Sequence, residues 1–195
     1  MSGNELKRAA ASMEQRETVQ VKVCGLTRVE EAVACAQAGA AAIGCVFYAE
    51  SPRCVTAATA RAIRRALPPE VVQRLRREGL FVIKALFADR APGMETASQY
   101  SASAYLVECG RGALPGGNAQ EWDWSRAGPF AERHPLILAG GLTPENAAQA
   151  VRAALPDAVD VSSGVEAGPG RKNIRNVEQF IAAVATASTR RRIFA

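Results

Sequence analysis

Histidine is nearly absent from the 195 residues: the single one, His134, precedes Pro135 at the expected end of an outer helix, a poor place for proton transfer. Long apolar runs are absent too. No stretch approaches the ~18 consecutive apolar residues of a membrane helix, so a soluble chain with no membrane partner is expected. Residues 1–18 show no strand signal and no apolar core of a secretory leader, and they read as an irregular extension. The five cysteines, Cys24, Cys35, Cys45, Cys54 and Cys109, are odd in number and have no CxxC spacing. That is not a small secreted disulfide framework, and reduced thiols in the cytoplasm are expected. The formal charge of +5 falls to +2 once Arg190, Arg191 and Arg192 are set aside. Arg61, Arg64, Arg65, Arg74, Arg76 and Arg77 follow helical spacing without interleaved aromatics. They read as solvated helix faces, and no nucleic-acid partner is expected.

What is there suits one α/β domain: 48% of the residues are hydrophobic and 22% charged. The domain is expected over 19–188, with a basic tail at 189–195. Strands are expected at 19–26, 41–49, 80–87, 104–109, 136–140 and 158–162. Helices are expected at 28–38, closed by Gly39, and at 57–67, 70–78, 93–101, 123–133, 144–154 and 176–187. Strands and helices alternate over short connections, the pattern of a parallel sheet wrapped by helices. The exception lies at Pro68 and Pro69, where one helix ends and another begins with no strand between them.

Several residues carry chemistry on their own account. Cys24 closes the alternating run VKVC at 21–24 and is followed by Gly25, so it stands at the carboxyl end of a strand, where parallel α/β folds keep reactive groups. A free cysteine also packs well as a small apolar residue. Lys22, two residues earlier, shares its face of the strand. Gly140 and Gly141 lie between a strand and a helix expected from Pro144, and Ser163 and Gly164 follow the last strand. Their amides can approach a phosphate without side-chain obstruction, although a glycine pair also makes a plain tight turn.

Five blocks then point to a family. VKVCGLT at 21–27, GCVFYAESPR at 44–53, LPGG with WDW at 114–124, LAGGLTPENA at 138–147 and DVSSGVE at 160–166 resemble phosphoribosylanthranilate isomerase in content and order, across most of 19–188. The resemblance implies an α/β fold of the (β/α)8 TIM-barrel family. It also implies an Amadori rearrangement of a sugar phosphate in tryptophan biosynthesis, without metal or organic cofactor. By the resemblance Cys24 is the catalytic base and Glu108, standing where the family carries aspartate, is the catalytic acid. Arg53 in the tripeptide Ser51-Pro52-Arg53 is implied for the anthranilate carboxylate, which a guanidinium fork matches. Lys22 and Asp160 are implied in substrate binding, and Gly140, Gly141, Ser163 and Gly164 in holding the phosphate.

The chain departs from the family in four places. Glu108 is one methylene longer than aspartate, Cys54 replaces an aromatic residue, and Lys172-Asn173 replaces Lys-Asp. The largest departure lies between Leu67 and Leu80, where the third strand, third helix and fourth strand are missing. About 170 residues remain in the domain, below the roughly 200 of the smallest complete barrels. The expectation is therefore a barrel reduced to six parallel strands. It either closes smaller or leaves two exposed edges, which would pair with a second copy as a homodimer.

Overall fold

A computed structural model describes residues 18–67, 81–111 and 120–194. The helix expected at 70–78, the LPGG block and nearly all of the N-terminal extension lie outside those residues. Six strands form one sheet: β1 (Gln20–Cys24), β2 (Ala42–Gly44), β3 (Ile83–Phe87), β4 (Ala104–Glu108), β5 (Leu136–Leu138) and β6 (Ala158–Val161). Their order is β2-β1-β6-β5-β4-β3, and every pairing is parallel. This is a barrel wall followed around its circumference and cut between β2 and β3. The sequence locates its missing elements at the same point. Among the described residues β2 and β3 do not pair, so of the two outcomes expected the open one holds.

The helices cover one face of the sheet: α1 (Val29–Gln37), α2 (Ala57–Ala66), α3 (Gly128–Arg133), α4 (Ala147–Ala154) and α5 (Ile174–Ala185). Side chains alternate along each strand with period two, which divides the molecule into two apolar regions. Val21, Val23, Tyr105, Val107, Leu136, Leu138, Val159 and Val161 point toward the helices and form the main core with Phe130, Val151, Val177 and Phe180. Both faces of the central strands are buried, as a parallel sheet requires. The alternate positions face the concave side. Low in the concavity are Ala104, Ile137 and Ala158; high in it are Lys22, Cys24, Glu108 and Asp160.

Several elements differ from expectation for local reasons. The strand expected at 41–49 is reduced to Ala42–Gly44, after which only a bridge from Val46 to Cys54 continues it; among the described residues no strand pairs with its outer edge. The helix expected at 93–101 is a 3-10 helix over Met94–Gln99, following Pro92 and Gly93. The helix expected at 123–133 divides into a 3-10 turn, Trp124–Ala127, and α3, whose start coincides with Gly128 and Pro129. An antiparallel hairpin of β7 (Glu166–Gly168) and β8 (Arg171–Lys172) after β6 has no counterpart in the sequence reading.

The residues expected as a basic tail are part of the fold. Ile193 is buried against Ala104, Ile137 and Ala158, with Phe194 beside Ile83 and Leu106, so the C-terminus fills the lower end of the concavity. Gln20 holds it there: Oε1 accepts from the amides of Ile193 and Phe194 at 2.7 Å each, and Nε2 donates to the Phe194 carbonyl at 2.5 Å. Arg191 Nη1 donates to the carbonyls of Ala131 (2.9 Å) and His134 (3.1 Å), capping α3, and to Asp157 (3.1 Å). In a complete barrel, layers of inward side chains fill this space. Here the wall is short of strands and the chain's own end occupies it.

Candidate active site

At the carboxyl ends of the strands lies a cavity of about 290 Å³. Lys22, Cys24, Arg53, Glu108, Gly140, Gly141, Asp160, Ser163 and Gly164 all line it. These are the nine residues singled out from the sequence, drawn from β1, β4, β6 and three loops. Cys24 and Glu108 terminate β1 and β4, with β6 and β5 between them in the sheet, so they face the cavity from different sides.

Burial raises the pKa of the Cys24 thiol, and the Asp160 carboxylate raises it further, while Lys22 and Lys172 pull it down. Lys22 Nζ donates to Asp160 Oδ1 at 2.5 Å. Burial opposes charge on Lys22, yet Asp160 and Cys24 outweigh it and hold the ammonium protonated with a raised pKa. A cation thus stands beside the thiol, the setting that a thiolate needs. Glu108 is buried, which raises its carboxyl pKa; Arg90 works against that and Asp160 with it. Environment therefore favours the thiol form of Cys24 and the acid form of Glu108.

The two loops assigned to phosphate meet. A Cβ on Gly164 would fall 1.8 Å from the Leu142 carbonyl oxygen, so only glycine permits this approach. The loop of Gly140 and Gly141 is fixed from both sides. Trp122 Nε1 donates to the Ala139 carbonyl (2.9 Å), Trp124 Nε1 to that of Gly140 (3.2 Å) and Asn146 Nδ2 to that of Gly141 (2.9 Å). Trp122 and Trp124 were legible only as part of a family block; their role as anchors of this loop was not. α4 begins at Ala147, three residues later than expected, after a turn in which the Thr143 amide donates to Asn146 Oδ1 at 2.8 Å.

Arg53 reaches the cavity with its guanidinium already bound to Glu166, through Nε (2.8 Å) and Nη2 (2.7 Å). Lys172 donates to the same carboxylate at 2.8 Å. Sequence reading missed Glu166; its one signal was its place as the last residue of the DVSSGVE block. His134 lies away from the cavity, stacked on Phe130 with ring centroids 4.6 Å apart. Among the described residues no group of three metal-ligating side chains gathers, and no helix is long and apolar enough to cross a membrane.

Comparison with known proteins identifies the family. The family model for N-(5'-phosphoribosyl)anthranilate (PRA) isomerase matches residues 69–183. The N-(5'-phosphoribosyl)anthranilate isomerase of Desulfatibacillum aliphaticivorans is 43% identical over 199 aligned positions, which take in 84% of this chain and 91% of that protein. Since 84% of 195 residues is about 164, about 35 aligned positions have no residue in this chain. The phosphoribosyl anthranilate isomerase of Thermotoga maritima superposes with a TM-score of 0.74 at 33% identity, over 87% of this chain and all of that one. Another such isomerase, solved in complex with reduced 1-(o-carboxyphenylamino)-1-deoxyribulose 5-phosphate, gives a TM-score of 0.69 at 32% identity over 87% of this chain and all of that one.

Proposed function

The chain belongs to the N-(5'-phosphoribosyl)anthranilate isomerase family, and from that premise we propose that it carries out the family's reaction itself. In that reaction N-(5-phosphoribosyl)anthranilate becomes 1-(2-carboxyphenylamino)-1-deoxyribulose 5-phosphate by an Amadori rearrangement, a step of tryptophan biosynthesis in the cytoplasm. The observation that carries this reading is that one cavity is lined by both Cys24 and Glu108 and by the two joined glycine loops.

The roles follow from the chemistry. Glu108, as the acid, protonates the furanose ring oxygen, and the ring opens to an iminium at C1. Cys24, as the thiolate, removes the proton from C2 to give the enolamine. Ketonisation leaves C2 oxidised and C1 reduced, with no external oxidant. Arg53 receives the anthranilate carboxylate, Gly140, Gly141, Ser163 and Gly164 take the phosphate, and Lys22 and Asp160 bind between them. Burial raises the pKa of both groups, which favours the acid form that Glu108 needs and opposes the thiolate that Cys24 needs. The rate against pH is then a bell that reports the two groups together.

The test is consumption of N-(5-phosphoribosyl)anthranilate by the purified chain, together with rescue of a tryptophan auxotroph lacking the isomerase. Rescue by Cys24→Ala equal to that by the parent removes Cys24 from the mechanism. A second reading, a homologue that binds sugar phosphate without turnover, is favoured by the open wall between β2 and β3. Protection by phosphate against thermal unfolding, with no turnover in the assay, supports it. The same open edges lead us to propose a homodimer formed by edge pairing. A monomeric mass in light scattering at high concentration overturns that assembly.

A further inference from the structure

Arg53, Glu166 and Lys172 form a buried chain of cation, carboxylate and cation, with side-chain exposures of 8%, 4% and 0%, and Arg53 is its member that lines the cavity. Lys172 Nζ also donates to the Ser162 carbonyl at 3.0 Å, so it is held at two points and pins Glu166 in turn. Burial pushes the Glu166 carboxyl pKa up, but its bonds to Arg53 and Lys172 outweigh that and keep it ionised. The stem of Arg53 lies across Gly25, where a Cβ would come within 2.5 Å of Arg53 Cδ. The arginine is thus confined along its stem by backbone and at its head by Glu166.

A guanidinium offers two forks, a side fork of Nε and Nη2 and an end fork of Nη1 and Nη2. Glu166 takes the side fork. Nη1 has no acceptor among the described residues, is not a buried unpaired atom, and belongs to a side chain that lines the cavity. We propose that Glu166, pinned by Lys172, is a positioning residue that holds the side fork of Arg53 so that its end fork meets the ring carboxylate of the substrate. This rests on the isomerase reading and adds to it the residues that aim the arginine.

Glutamine at 166 provides the sharpest test. Its amide keeps one acceptor but turns a donor toward another donor, either Arg53 Nη2 or Nε, and two cations then lose their shared counter-charge. Two probes are titrated by calorimetry into the full chain: the reduced product analogue, and its counterpart made from aniline, which lacks the carboxylate. Glu166→Gln is expected to weaken the carboxylated probe about 10- to 100-fold, the range for a charge-assisted bidentate contact, while the aniline probe changes by less than about 2-fold. In kinetics KM rises while kcat holds. Adding Glu166→Gln to Arg53→Lys, which has already lost the planar fork, is expected to change little further, because the effect passes through Arg53.

Equal weakening of both probes, or full additivity with Arg53→Lys, overturns the proposal and makes Glu166 a structural residue only. If Glu166→Gln does not fold, Glu166→Asp carries the same test with the charge kept: it draws the carboxylate back by about one bond and is expected to reduce the preference less. Equal weakening of both probes there is again fatal. Failure of the unsubstituted chain to bind either probe overturns the isomerase reading itself, whatever the variants do.

Discussion

The β1-β6-β5-β4 side of the sheet and its two edges follow different rules. On the first side every strand has a neighbour on both sides, Val23, Val107, Leu138 and Val159 are fully enclosed, and Cys24, Glu108 and Asp160 stand above an apolar floor. At the edges β2 is three residues long, and Phe47, Phe81 and Val82 next to the two edge strands are 62%, 45% and 47% exposed. Most of the nine residues proposed for the reaction stand on the enclosed side. Of the nine, only Arg53 follows an edge strand, and it is tied back to the enclosed side through Glu166. The residues proposed for the reaction and the edges left by the missing strands are therefore set apart along the circumference.

The largest expected effect tests whether the enclosed side carries the chemistry. Cys24→Ala should lower kcat by about 10²- to 10⁴-fold, the usual contribution of a positioned base, while the chain stays folded by circular dichroism. A loss under 10-fold would mean that another group takes the C2 proton. Next in size is Glu108→Asp, which restores the shorter acid of the family. If β1 and β4 keep the spacing of a closed barrel, the shorter acid corrects a misplacement of more than an ångström and kcat rises by up to about 100-fold. A fall in kcat would show instead that cutting the wall has moved β4 away from β1, so that the extra methylene restores reach. Either result sharpens the comparison, because it measures how far the open edge is felt on the enclosed side.

A third prediction concerns the lower end. Ile193→Ala should destabilise the fold by about 2 kcal/mol, at the low end for truncating a buried branched side chain because the C-terminus has room to readjust. The urea midpoint should fall with an unchanged slope. An unchanged midpoint would mean that residues 189–194 rest on the sheet without supporting it.

The enclosed side was also the legible side. The strands at 104–109 and 158–162 were readable because alternation there follows one pattern, apolar toward the helices and, Leu106 apart, small or polar toward the cavity. Eight of the nine proposed site residues came from motifs whose neighbours in sequence are neighbours in space, while Glu108 lies outside those blocks and was assigned by the resemblance alone. Glu166 escaped because its partners Arg53 and Lys172 come from two different loops, and no local pattern marks a carboxylate that will meet both. The C-terminus escaped for a related reason. Three successive arginines look solvated, and only the fold shows that Arg191 caps α3 while Ile193 packs on Ala104, Ile137 and Ala158. The sequence could place the loss at Pro68 and Pro69; whether the wall then closes depends on curvature across the whole sheet, which no segment encodes.

The smallest effect expected is a change of stability with pH at Glu108. Burial raises its folded-state pKa above the unfolded value, with Arg90 opposing and Asp160 assisting. For a group shifted upward, the favourable contribution is complete below the unfolded pKa, about 4.3, and is lost as pH rises through the folded value. At neutral pH the buried carboxylate is therefore a cost to the fold. Glu108→Gln removes the titration but keeps the shape, so it should be more stable than the parent at pH 7, and the gap should narrow as the pH falls toward 4. Urea midpoints at the two pH values measure it. A gap that widens toward low pH would mean that the folded chain stabilises the carboxylate, and Glu108 would then be poorly placed to act as an acid. The enclosed side would in that case keep a base without its acid partner.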